Sequence, residues 1–182
     1  ICQVLEIAKA RRRRREVLRY LDRTESEFVI PSKPALITPL VGYLQDNLER
    51  SAFGGEATRT QVGMALMEAL SNAIVHGNLE VDSRLRREDP ERFDALVEER
   101  QDQEPYASRS VYCRERGSSK GFEYVIRDEG SGFDPEELPD PTSPENLFAS
   151  SGRGIMLIRT FMDHVEFNDV GNQITMRKKP AE

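Results

Sequence analysis

The amino-acid sequence predicts an α+β protein: a two-layer sandwich with a mixed, mostly antiparallel sheet and helices on one face. Three observations predict it. Apolar residues recur at helical spacing over 33–50, 57–77 and 153–163. Strand-like runs at 108–116 and 121–128 flank the turn Gly-Ser-Ser-Lys-Gly, and a closing pair occupies 164–179. Tight turns of this kind join antiparallel neighbours, and helices gathered on one side of such a sheet complete two layers.

Each element has its own reason. Residues 1 to about 22 read as a helix, with Val4, Leu5 and Ala8, then Val17, Leu18 and Leu21 beyond a run of arginines. The stretch 27–32 alternates and ends at Pro31-Ser32, a short strand. In 33–50, Pro34 suits a first helical turn, and Pro39 sets the start of the regular part near itself. Phe-Gly-Gly-Glu breaks the chain before the helix 57–77, which stops at Gly77-Asn78. A charged insertion follows over 81–106. Asp89-Pro90 with Phe93, Leu96 and Val97 marks a surface helix there, expected outside the main core. The segment 129–154 is long and rich in Gly, Pro and Ser, and a loop of that length in a compact domain is functional or disordered. The last pair of strands turns at Val170-Gly171-Asn172. We divide the chain into a basic linker helix, 1–24, and a domain, 25–182.

With 182 residues, 37% hydrophobic and 32% charged, the chain can bury a core of its own and carry a charged surface. A net charge of −6 argues against a general nucleic-acid binder, although 9–19 is strongly basic. That run is a solvated helix face or linker, or else a contact for nucleic acid or membrane. Cys2 and Cys113 are too few and too far apart for a disulfide framework or a zinc site. No apolar run approaches a membrane span and no secretory signal is visible, so the expected location is cytoplasmic. The first residue is Ile, and we read 1–21 as the end of a connecting helix cut from a longer polypeptide.

One helix poses a chemical problem. Val62, Met64, Leu66, Met67, Leu70, Ala73, Ile74 and Val75 make 57–77 apolar nearly all round, the mark of a buried helix. Yet Glu68, Asn72 and His76 stand four residues apart. Each such step overshoots a full turn by about 40°, so the three share one side. Buried polar groups without partners cost several kcal/mol. Two more clusters accompany them: Asp-Glu-Gly-Ser-Gly at 128–132, leaving a strand, and Gly-Arg-Gly at 152–154, opening a helix.

Each cluster has a plain structural reading: a solvated Glu, a bracing Asn, a His bonded to a carbonyl, an ordinary turn, a loose helix start. The loop with Asp128, Asp134 and Glu136 also has a calcium-like acidity. Gly130 falls where a ligand belongs, however, and a strand rather than a helix precedes it. Neither a dinucleotide fingerprint nor a Walker-type phosphate loop is present. Taken together the clusters describe a nucleotide site. Glycines admit a ligand close to the backbone. A helix opening at Gly152, Arg153 and Gly154 offers N–H groups to phosphate. Asp128 can accept a hydrogen bond from an exocyclic amine such as that of adenine. An Asn oxygen suits Mg²⁺, and a Glu one turn earlier can orient or deprotonate a nucleophile.

These residues resemble three boxes of the Bergerat-fold (GHKL) ATPases. Glu-Ala-Leu-Ser-Asn-Ala-Ile-Val-His-Gly (68–77) is similar to their N box, Asp-Glu-Gly-Ser-Gly to their G1 box, and Ser-Gly-Arg-Gly-Ile to their G2 box. The order and the strand and helix context agree over about 25–179. Within that superfamily the chain looks most like bacterial anti-sigma factor serine/threonine kinases. His76 after the Asn-Ala pair, the short interval from Gly132 to Gly152 and the start at 28–44 favour that branch.

The resemblance implies the histidine kinase-like ATPase fold, with ATP and Mg²⁺ as cofactors and roles at matching positions. Glu68 would be the catalytic base and Asn72 the metal ligand. Asp128 would read adenine, and Gly130 and Gly132 would shape its pocket. Gly152 and Gly154 would contact phosphates, with Arg153 and His76 as further cofactor-binding candidates. It also implies partners: a sigma factor and an antagonist protein whose Ser or Thr receives the γ-phosphate.

The insertion and the basic helix depart from a minimal kinase of this type. Such domains are similar to output modules behind a receiver domain, and the N-terminal helix offers a surface for pairing two copies. Neither nucleic acid nor membrane is an expected partner. Two other readings stay open. One is a binding module in which ATP only props the lid; the other is the ATPase half of a histidine kinase. For the latter, His76 and His164 are the sole histidines, and neither lies on a dimerisation helix.

Overall fold

The computed structural model describes residues 16–17, 20–51, 53–118, 120–135 and 153–180, with the side chain of Arg153 excepted. The linker helix expected over 1–22 therefore lies almost wholly outside the described residues, as do Gly152 and most of the long loop.

Five strands form one sheet in the order β1-β2-β3-β5-β4: β1 (Arg23–Pro31), β2 (Ser110–Ser118), β3 (Gly121–Arg127), β4 (His164–Phe167) and β5 (Gln173–Lys178). Every pairing is antiparallel. Alternation decides the two faces. Val111, Cys113, Phe122, Tyr124, Ile126, Ile174 and Met176 point into the core. The opposite face carries charge pairs: Arg116 Nε donates to Glu25 at 2.7 Å and Arg177 Nε to Glu123 at 2.7 Å. A sheet with one apolar and one ionic face takes helices on one side only.

Those helices are α1 (Ile37–Arg50), α2 (Glu56–Ser71) and α5 (Arg153–Phe161), with α2 packed between the other two. A 3₁₀ turn at Pro34–Leu36 precedes α1, as the two prolines anticipate. Leu44, Leu48, Val62, Leu66, Leu70, Ile74 and Ile158 are wholly buried between the layers.

Three expectations need correction. First, the helix expected over 57–77 is not uniform: α2 ends at Ser71 and continues as a π-helical turn, Asn72–Asn78. Second, it is not buried all round, because Met64 and Met67 are exposed. Third, the insertion forms two helices, α3 (Leu85–Glu88) and α4 (Pro90–Arg100), and is not outside the core. Phe93 is 3% exposed and belongs to the main apolar cluster. Asp89 caps α4 by accepting from the Arg92 N–H at 2.9 Å, with Pro90 at the first helical position.

Candidate functional site

A cavity of about 620 Å³ opens between the π turn, the end of β3, the start of α5 and the β4–β5 hairpin. Its size suits a small-molecule ligand. Glu68, Asn72, His76, Asp128, Gly132 and Gly154 all line it. Gly130 stands just behind, where a Cβ would run into the carbonyl of Gly77. The side chain of Arg153, like Gly152, falls outside the described residues.

The π turn explains how the polar line stays straight. An α-helical step of four residues overshoots a turn by about 40°. In the wider π turn, bonded from i to i+5, the same step falls short of one. Glu68 to Asn72 spans the first geometry and Asn72 to His76 the second. The two offsets oppose each other, so all three residues reach one cavity.

Each end of the cavity has distinct chemistry. At one end Asp128 is 8% exposed, and burial pushes its carboxyl up to about 6 despite the Gly130 N–H that donates to Oδ1 at 2.9 Å. The Gly130 bond uses Oδ1, and Asp128 lines the cavity, so the second oxygen, Oδ2, can accept from a ligand there. Its walls are apolar: Ala73, Ile126, Ile174 and Phe133, the last meeting Phe167 edge-on at 5.2 Å. At the other end Gly154, in the first turn of α5, sits against the polar line. A Cβ there would lie 2.6 Å from Glu68 Oε2 and 3.6 Å from Asn72 Nδ2. A carboxylate able to take a proton and an amide able to bind a hard cation thus flank a helix N-terminus, which favours anions.

His76 combines both of its readings. Nδ1–H donates to the Val81 carbonyl at 2.6 Å, while the ring still lines the cavity. That bond fixes the tautomer, leaving Nε2 as the acceptor of the neutral ring.

Sequence reasoning missed several supporting residues. Gly77 is more than a helix stop, because a Cβ on it would fall 2.5 Å from Asp128 Oδ1. Asn78 is fully buried and braces the site. Its Oδ1 accepts from the Glu129 N–H at 2.7 Å, its Nδ2 donates to Ser32 at 2.9 Å, and its carbonyl accepts from Arg109 at 2.6 Å. In the sequence Gly77 signalled a helix end and closed the stretch similar to the N box, while Asn78 signalled a helix end alone. Gly132 (φ +74°) and Gly171 (φ +76°) let two loop backbones cross where side chains would collide with Val170 and Phe133. Ser83, Arg86 and Arg87 also line the cavity, and they come from the insertion.

A sheet with one helical face, a kinked polar helix and two glycine turns around a deep acid define a nucleotide-binding class of fold. A family model described as the histidine kinase-like ATPase domain matches residues 30–178, and the chain belongs to that family. It thus carries an ATP-binding domain of the histidine kinase-like type. No curated protein matches the chain. Among the described residues no helix is long and apolar enough to cross a membrane, and no cluster of three His, Cys, Asp or Glu could by itself hold a metal.

Proposed function

We propose that the protein is an ATP-dependent serine/threonine kinase of the anti-sigma-factor type. It would pass the γ-phosphate of ATP to a Ser or Thr of an antagonist protein and regulate transcription by exchanging partners, in the cytoplasm. One observation carries the reading: Glu68 and Asn72 face the same cavity as Asp128, with the first turn of α5 against Glu68. A carboxylate beside a polyphosphate is electrostatically costly unless it serves the chemistry.

Asp128 accepts from the adenine amine, with Gly130 and Gly132 shaping that end. The resemblance assigns Gly152, Arg153 and Gly154 to the phosphates, and Gly154 lines the cavity beside Glu68. The fit of Mg²⁺ rests on donor chemistry: one amide oxygen, from Asn72, is enough for an ion that keeps several waters and takes phosphate oxygens. When bound, that ion neutralises charge on the β- and γ-phosphates. Glu68 takes the proton of the attacking hydroxyl, as a general base within hydrogen-bond reach must. His76, held by Val81, presents Nε2 to the ligand.

The test mixes the protein with γ-labelled ATP, Mg²⁺ and a candidate antagonist. Label on a Ser or Thr of that partner, lost in Glu68→Ala while ATP still binds, is the expected result. Tight ATP binding with no transfer to any partner would favour the lid-propping module instead.

A further inference from the structure

We propose that the insertion supplies the cationic clamp for the polyphosphate of the nucleotide, through Arg86 and Arg87. This rests on the cavity being a nucleotide site. The geometry makes the insertion part of that cavity: Ser83, Arg86 and Arg87 line it together with Glu68, Asn72 and Asp128.

Charge gives the reason. ATP brings several negative charges to a cavity already holding the carboxylates Glu68 and Asp128. In the sequence no Lys or Arg occurs between Arg127 and Arg153. Among the described lining residues the arginines are Arg86 and Arg87. Guanidinium groups match phosphate oxygens in pairs.

The neighbouring arginine behaves differently. Arg84 is held by Asp82, its Nη2 lying 2.6 Å from Oδ2, and does not line the cavity. Arg87 has no carboxylate partner among the described residues. Arg86 rests on the Phe93 ring, with its guanidinium carbon 4.9 Å from the centroid. That contact aims a side chain without consuming its hydrogen-bond donors.

The base of the insertion is anchored while these two side chains are left available. His76 Nδ1–H donates to Val81, and Arg100 Nη1 donates to the carbonyls of Leu79 and Glu80 at 2.7 and 2.8 Å. Glu80 pairs with Arg109 at 2.8 Å. A ligand with more phosphates would therefore draw on Arg86 and Arg87 without moving the base, and the insertion would distinguish ATP from ADP and adenosine.

The experiment measures Kd for adenosine, ADP and Mg-ATP with the full chain and with Arg86→Ala, Arg87→Ala and Arg84→Ala. Each of the first two variants should weaken Mg-ATP about tenfold, the scale of one charge-assisted contact, and ADP less. Adenosine should change less than about twofold, and Arg84→Ala should leave all three ligands unchanged. Arg87 is exposed, so its variant keeps the test valid if Arg86→Ala disturbs the Phe93 packing. Unchanged Mg-ATP affinity in both variants, or an equal loss for adenosine, would overturn the clamp. Failure of the unaltered protein to bind any of the three ligands would instead overturn the nucleotide reading beneath it.

Discussion

Asp128 offers the sharpest test of the adenine end, because its two oxygens have different surroundings. Oδ1 already accepts from the Gly130 N–H at 2.9 Å. In Asp128→Asn the amide oxygen would keep that bond, which places the new NH₂ where Oδ2 stood. A donor would then face the exocyclic amine of adenine. Losing a charge-assisted bond and opposing two donors should weaken adenosine and ATP about 10- to 100-fold. The same site predicts a pH dependence. Burial raises the carboxyl to about 6, and only the ionised form offers the amine a charge-assisted acceptor with no competing O–H. Affinity is therefore nearly full above about pH 7 and is lost as pH falls through about 6. One unit below, at pH 5, about a tenth of the sites are ionised, so Kd rises about tenfold relative to pH 8. Calorimetric titration with adenosine avoids the titrating phosphates of ATP. A flat profile between pH 5 and 8, or the same profile in the Asn variant, would refute this assignment.

Two further tests concern stability. In Gly77→Ala the new Cβ would meet Asp128 Cγ at 2.5 Å, so urea denaturation should show a loss of about 1–3 kcal/mol. Gly42→Ala, with nothing within 4 Å of its Cβ in α1, should instead gain up to about 1 kcal/mol, and equal behaviour of the two would count against the packing argument. Glu115 is wholly buried and accepts from Asn47 Nδ2 at 2.6 Å, its Oε1 has no hydrogen-bond partner among the described residues, and burial pushes its carboxyl up to about 7. The folded state then holds its proton longer than the unfolded state. Stability from this group is present below pH 4.5 and is lost as pH rises to about 7. Glu115→Gln imitates the protonated form. It should come close to the unaltered protein near pH 4 and exceed it by about 3 kcal/mol or less at pH 8, and equal stability at pH 8 would contradict the burial argument.

What could be read from the chain alone was local. The 3.6-residue period of α1 and α5, the hairpin turn after Ser118 and the glycine pairs at 130–132 and 152–154 are short-range signals, because helix faces and turn types depend on neighbouring residues. They were enough to give an α+β fold and to nominate Glu68, Asn72, His76 and Asp128, which the fold then brings to one cavity.

Tertiary contacts decided the rest. The π turn at 72–78 arises where Asn78 is tied to Ser32, Arg109 and Glu129, residues 31 to 51 positions away in the chain. The need for glycine at 77 comes from the Asp128 carboxylate, just past the end of β3 and far away in sequence. The insertion's charge density resembles a solvated surface, yet Phe93 enters the core and Arg86 and Arg87 turn to the cavity. Periodicity reports which side of an element is apolar. It does not report which distant polar group that element will meet, because that depends on chain closure and packing rather than on neighbours in sequence.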